Sequence, residues 1–206
     1  MDTALFLSLI GFAFVSSVTP GPNNLLLMSS GALFGWRRTL PHLAGILLGF
    51  AVVMTSAVFG LGSLVLRWPW LITAVRVLGA AWLLWLSLRY FRSALKNTDP
   101  ASRIETAPIS RPFRFFEAVF FQWINPKALI ACLSAAGAYI AIAEQAWQRA
   151  VIMGGVFFVA GLIACTSWMV AGDVLRRLMS EGSSAKWANA GMGVLIVLTA
   201  GLVLFG

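Results

Sequence analysis

Six apolar runs, each close to the length that a membrane demands, leave this chain few residues for anything else. They fall at about 4–29, 41–66, 70–88, 115–142, 150–171 and 188–205. A spanning helix needs ~20 apolar residues, so six of them take well over half of the 206 present and leave no room for a separate soluble domain. With 60% of residues hydrophobic and a mean hydropathy of +0.88, a soluble domain of this size has too few polar groups to cover its surface. The expected fold is an all-α membrane protein, a single integral domain of six transmembrane helices. Met1-Asp2-Thr3 carries no basic region and no small-x-small cleavage site follows, so the first run reads as a retained helix.

The first run is broken in its interior by Thr19-Pro20-Gly21-Pro22-Asn23-Asn24. Each proline lacks an N–H and clashes with the preceding turn, at a cost of about 3 kcal/mol or more in a helix interior. Inside a bilayer the freed backbone groups are tolerated only where protein or a water-filled cavity satisfies them. A second break, Ile124-Asn125-Pro126-Lys127-Ala128, sits about as far into the fourth run.

Basic residues orient the chain. The net charge of +8 and the pI near 10.8 come from short connections, which suits cytoplasmic anchoring better than nucleic-acid binding. Arg37 and Arg38 follow the first run. Arg89, Arg92, Lys96, Arg103, Arg111 and Arg114 follow the third, and Arg176, Arg177 and Lys186 the fifth. The opposite side carries only Arg67 and Arg149, so these three connections belong in the cytoplasm and both termini outside. The polar stretch 91–114 then separates repeat 1, about 1–90, from repeat 2, about 115–206. The two three-helix halves run in opposite directions and are broken at matching prolines, the pattern of inverted repeats in transporters. Such breaks mark the substrate site.

Thr19-Pro20-Gly21-Pro22, Gly31, Gly35, Gly45, Gly49 and Asn125-Pro126-Lys127-Ala128 together resemble the LysE/RhtB family of amino-acid exporters, over nearly the whole chain. Asn23-Asn24, Trp168 and Gly172 look most like its cysteine/O-acetylserine exporter branch. The resemblance implies export of amino acids from the bacterial cytoplasm, driven by the proton-motive force and embedded in the inner membrane.

The residues themselves suggest how. Past Pro22 a restarted helix exposes unpaired N–H groups and the positive end of its dipole, suited to a carboxylate, while carbonyls before Pro20 suit an ammonium group. Substrate-binding candidates are Pro20, Gly21, Pro22, Asn23, Asn24, Gln122, Asn125, Pro126 and Lys127. Lys127 lies ~18 Å along its helix, near mid-membrane, where a charge is costly and usually functional. It could hold a carboxylate or carry the coupling proton; it could equally tie the two halves together through freed carbonyls. Asp173 is a second coupling candidate, although ion pairs with Arg176 and Arg177 at helical spacing explain it too. Glu117 has a similar partner in Arg114. His42 is expected at the cytoplasmic interface and Arg76 within reach of the outer one.

A lone histidine makes no metal site, no G-x-x-x-x-G-K-[ST] loop is present for ATP, and no cofactor or enzymatic role is expected. The alternatives are a membrane thiol–disulfide carrier and a non-transporting scaffold. The first needs a cysteine beside each break, whereas Cys132 and Cys165 lie within apolar runs. The G-x-x-x-G spacings Gly31/Gly35 and Gly45/Gly49 leave open whether they pack one chain or a homodimer.

Overall fold

A computed structural model describes residues 2–96, 111–178 and 184–205. The described residues form the helices α1 (Thr3–Val18), α2 (Pro22–Phe34), α3 (Trp36–Ser56), α4 (Gly62–Arg67), α5 (Trp70–Lys96), α6 (Phe115–Ile124), α7 (Pro126–Ala138), α8 (Ala146–Leu178) and α9 (Ser184–Phe205). A π-helical turn, Ala57–Leu61, joins α3 to α4, and a 3-10 turn, Ile140–Ile142, follows α7. Each apolar run of the sequence is helical. Three stretches, Trp36–Arg67, Trp70–Arg92 and Ala146–Arg177, are long and apolar enough to cross a membrane. Counting each bent pair, α1 with α2 and α6 with α7, as one span raises the number to five, and α9 adds 22 residues.

Local chemistry sets the helix ends. The Asp2 carboxylate caps α1, accepting from the Ala4 N–H at 2.8 Å. Pro22 and Pro126 open α2 and α7, where proline's missing N–H costs nothing. The chain bends by 50° between α1 and α2 and by 67° between α6 and α7. Gly35, at φ +80°, separates α2 from α3, and Gly60, at φ +126°, lies within the π turn that kinks α3 into α4. Both positions favour glycine, which has no Cβ to clash there.

Each broken pair packs against the middle helix of the other half: α1 and α2 on α8, α6 and α7 on α3. α3 also packs on α8, and α5 on α9. Glycines allow the closest approaches. A Cβ at Gly172 would strike the Met28 carbonyl oxygen, and one at Gly31 the Met169 carbonyl oxygen, so α2 and α8 touch backbone to backbone. Gly45 faces the Phe115 carbonyl in the same way, and a Cβ at Gly49 would lie 2.8 Å from the Val119 oxygen. The glycine spacings that left a homodimer open are therefore occupied within one chain.

Gly172→Val should lower the melting temperature in detergent by roughly 5 °C or more, since overpacking costs about 1–3 kcal/mol. Gly137→Ala, where the added Cβ meets nothing within 4 Å, should not lower it, since alanine is the better helix former. Differential scanning fluorimetry reads both.

Three apolar clusters fill the interior. Leu9, Val53, Leu129, Met153 and Phe157 join α1, α3, α7 and α8. Leu25, Leu83, Leu86, Phe121 and Ile196 join α2, α5, α6 and α9. Leu27, Leu43, Ile46, Ala118 and Met169 join α2, α3, α6 and α8. The outside is apolar too: Phe116, Phe120 and Val151 are 67%, 68% and 66% exposed, an arrangement stable against lipid tails and costly in water.

Two polar expectations differ in detail. His42 is buried rather than interfacial, 1% exposed, its ring 5.0 Å from that of Phe113, because α3 begins at Trp36 and carries it under the bundle. Glu117 pairs with Arg111 at 2.6 Å and takes only the backbone N–H of Arg114. The Arg76 Nε is buried without a hydrogen-bond partner. Most of the polar connection, with Asn97, Asp99, Pro100, Ser102, Arg103, Pro108 and Ser110, lies outside the described residues, as do the side chains of Lys96, Lys186 and Trp187.

Candidate functional site

The two proline breaks meet. Between α1 and α2 the carbonyls of Ser17, Val18, Thr19 and Pro20 lose helical partners, and side chains from three other places supply donors. The Asn24 amide donates to Ser17 O at 2.8 Å and Thr19 O at 3.0 Å. The Trp168 indole N–H, on α8, donates to Val18 O at 3.2 Å. The Lys127 ammonium, on α7, donates to Thr19 O and, at 3.4 Å, to Pro20 O. Unpaired buried polar groups cost about 1–3 kcal/mol each, so this set of donors holds the break open at tolerable expense. It also means that the carbonyls expected to await a substrate ammonium are already engaged by the protein's own cation.

A second link joins the breaks directly. Asn23 Nδ2 donates to Gln122 Oε1 at 2.7 Å, and Gln122 Nε2 returns a bond to Asn23 Oδ1 at 3.2 Å and another to Ala118 O at 2.9 Å. Gln122 is fully buried. Its position one turn before Pro126 brings α6 against the start of α2. On the far side, α5 supports the second break: a Cβ at Gly79 would lie 2.9 Å from Ile124 O and 3.0 Å from Pro126 Cδ.

Neither α2 nor α7 has a side-chain hydrogen bond capping its N-terminus. Their first residues line one cavity of about 60 Å³, walled by Gly21, Asn23 and Asn24 on one side and Asn125, Lys127 and Ala128 on the other. That is room for a few waters or a small solute. The starts of both helices, where the positive dipole ends lie, therefore line the same cavity, and among the described residues Lys127 is its one charged lining side chain. Asn125 is 2% exposed, and its Oδ1 is a buried acceptor with no partner. A second hollow lies behind the first, lined by Phe12, Thr19, Pro20, Pro126 and Thr199. Ser16, Gly21, Lys127 and Ala131 line both hollows, so the partition between them includes these four residues.

The candidate residues at the breaks, from Pro20 to Asn24 and from Asn125 to Lys127, are therefore brought together, with Gln122 bridging them. Asp173 is elsewhere, near the end of α8. Arg176 holds its Oδ1 at 2.9 Å and Arg177 its Oδ2 at 2.8 Å, and its side chain is 5% exposed against Gly35. Sequence reasoning missed the apolar wall, made by Ile46, Leu47 and Phe50 of α3 and Phe157 and Phe158 of α8. Nothing in uniformly apolar runs distinguishes a cavity-facing aromatic from a lipid-facing one. It also missed Cys165 as a lining residue, with its Sγ 3.8 Å from Asn24 Oδ1. Cys132 and Cys165 are both free and buried.

Residues 14–206 match the family described as LysE type translocator. A cysteine/O-acetylserine efflux protein of Salmonella typhi is 28% identical over 166 residues, 81% of each chain. One of Escherichia coli O6:K15:H31 is 28% identical over 170 residues, 82% of this chain and 83% of its own. No solved structure matches the chain. With its family match running from inside α1 to the C-terminal residue, the chain belongs to the LysE-type translocators.

Proposed function

We propose that the protein exports small neutral amino acids across the bacterial inner membrane in exchange for protons, by alternating access around the cavity between the breaks. The observation that carries this reading is the convergence of two uncapped helix N-termini and Lys127 on one cavity. An α-amino acid offers a carboxylate, which suits the free N–H groups and positive dipole ends of α2 and α7. It also offers an ammonium group, for which Asn125 Oδ1 is an unused buried acceptor. The cavity lining contains no acidic side chain to bind a cationic one, which favours neutral substrates.

The packing supports a reading of the moving parts. α9 serves as the sixth span, and the broken pairs packing on the middle helix of the opposite half fit two inverted repeats. With the arginine-rich connections in the cytoplasm and both termini outside, the glycine contacts of α2 with α8 close the inner side. Lys127 is the coupling residue: protonated, it grips Thr19 and Pro20, and deprotonated, it loosens that grip and frees the partition. Asp173, with each oxygen held by an arginine, serves as an inner-side clasp.

Preloaded proteoliposomes test this. Efflux of labelled neutral amino acids should rise when the receiving side is made acidic and collapse with a protonophore, while lysine and glutamate stay behind. Gradient-independent leakage, or retention of every amino acid by folded protein, would overturn the reading.

A further inference from the structure

The cavity has two unlike halves. The breaks supply its polar half; the other is made by Ile46, Leu47 and Phe50 on α3 facing Phe157 and Phe158 on α8. Phe50 and Phe157 stack with ring centroids 5.1 Å apart and an interplanar angle of 24°, so this wall is fixed by its own packing. A zwitterion seated with its charged end among the breaks points its side chain at this wall.

Gly154 lies one helical turn before Phe157 and Phe158, on the same face of α8. It lines the cavity, and a Cβ built on it meets nothing within 4 Å. Gly161, two turns further on, is different: there a Cβ would lie 3.3 Å from Leu47 Cδ2, so that end is already filled. The free length of the apolar half is therefore set by the absence of a side chain at Gly154.

We propose that this half is the side-chain subsite of the transported amino acid, that it takes aliphatic and thioether side chains, and that Gly154 sets the longest one accepted. The inference rests on the export reading above and names its substrate class. Pockets of this kind discriminate by size: one methylene group is worth roughly 10- to 200-fold in selectivity. An added side chain at Gly154 would project into open space beside this wall, and so should cost long substrate side chains more than the methyl of alanine or the thiol of cysteine.

Gly155 provides the control. It shares helix α8, is exposed, does not line the cavity, and likewise meets nothing within 4 Å of an added Cβ. Gly154→Val and Gly155→Val make the same change in helix propensity and differ in the cavity alone.

The test is efflux of labelled alanine, cysteine, leucine and methionine from proteoliposomes of the wild-type chain and both variants. Wild type is expected to export all four. Gly154→Val should cut leucine and methionine efflux by about tenfold or more while alanine and cysteine change less than about twofold. Gly155→Val should match wild type. Wild type exporting alanine and cysteine but neither larger substrate, equal loss of all four in Gly154→Val, or the same loss in Gly155→Val would each overturn the subsite while leaving the export reading intact. No efflux of any amino acid by folded wild type would instead remove the export reading beneath it.

Discussion

Lys127→Met is expected to cut proton-driven amino-acid efflux by roughly 10- to 150-fold, the equivalent of one lost hydrogen bond to a charged group at about 1.5–3 kcal/mol. Methionine keeps the unbranched apolar chain that crosses Gly21, so the partition between the two hollows stays filled. What disappears is the ammonium group. Thr19 O keeps its bond from Asn24 at 3.0 Å, and Pro20 O loses only a long contact of 3.4 Å. The variant should therefore still fold, with a melting temperature close to wild type. Lys127→Arg separates the two roles considered for the lysine. A guanidinium keeps a permanent charge and cannot release a proton in the working range. It should retain exchange of internal for external amino acid and lose acceleration by a pH gradient. If Lys127→Arg responds to the gradient as wild type does, the proton travels elsewhere and Lys127 is a structural tie.

The contrast between what the sequence made legible here and what it did not has a physical basis. The breaks were visible because proline and glycine act on their own backbone, through a missing N–H and a missing Cβ, whatever surrounds them. Lys127 stood out because a charge at its depth is expensive in any bilayer. Its partners were not visible. That the ammonium lies on Thr19 and Pro20, that the Trp168 indole caps Val18, and that Asn23 pairs with Gln122 are contacts across 99 to 150 residues of chain. They depend on which helix lies against which. Glycine spacing marked close packing correctly but could not name the partner, and the answer proved to be α2 on α8 and α3 on α6. The aromatic wall was the least legible, because Phe50 and Phe157 sit in runs where nearly every neighbour is apolar. His42 shows the reverse error. Its neighbours Arg37, Arg38 and Pro41 suggest an interface, yet one helical face carries it inward to Phe113.

The family match and the site geometry bear on different questions. The match extends from residue 14 to residue 206 and so covers both breaks, but at 28% identity to the named efflux proteins it does not carry their substrates over. Among the described residues, the cavity proposed as the site has one cation and no anion in its lining, beside two helix N-termini and an apolar far wall. In the proposed mechanism Lys127 would connect recognition with movement, because the ammonium lining the cavity is also the group that braces the first break against α7.

That brace depends on Gly21, and Gly21→Ala is expected to reduce efflux by about tenfold, near 1.4 kcal/mol, without removing any charged group. The backbone there is extended, at φ −168° and ψ 177°, a conformation open to every residue, so the effect is not one of backbone strain. It comes from space. The new Cβ would lie 2.6 Å from Lys127 Cδ, 3.1 Å from Nζ and 3.4 Å from Cε. The contact is to the middle of the lysine chain, where a small rotation of the tip cannot relieve it, so the whole side chain must leave its path across Gly21. The ammonium then loses Thr19 and Pro20, and the partition between the hollows shifts. Because the damage passes through Lys127, it should vanish when the obstacle does. In a Lys127→Ala background, itself poorly active, adding Gly21→Ala should lower efflux no further, which makes the pair strongly non-additive. Residual exchange flux in the four proteins of this cycle is the measurement. Independent, additive losses would mean that Gly21 acts on α2 alone, and that the lysine crossing it is not what the glycine is there to admit.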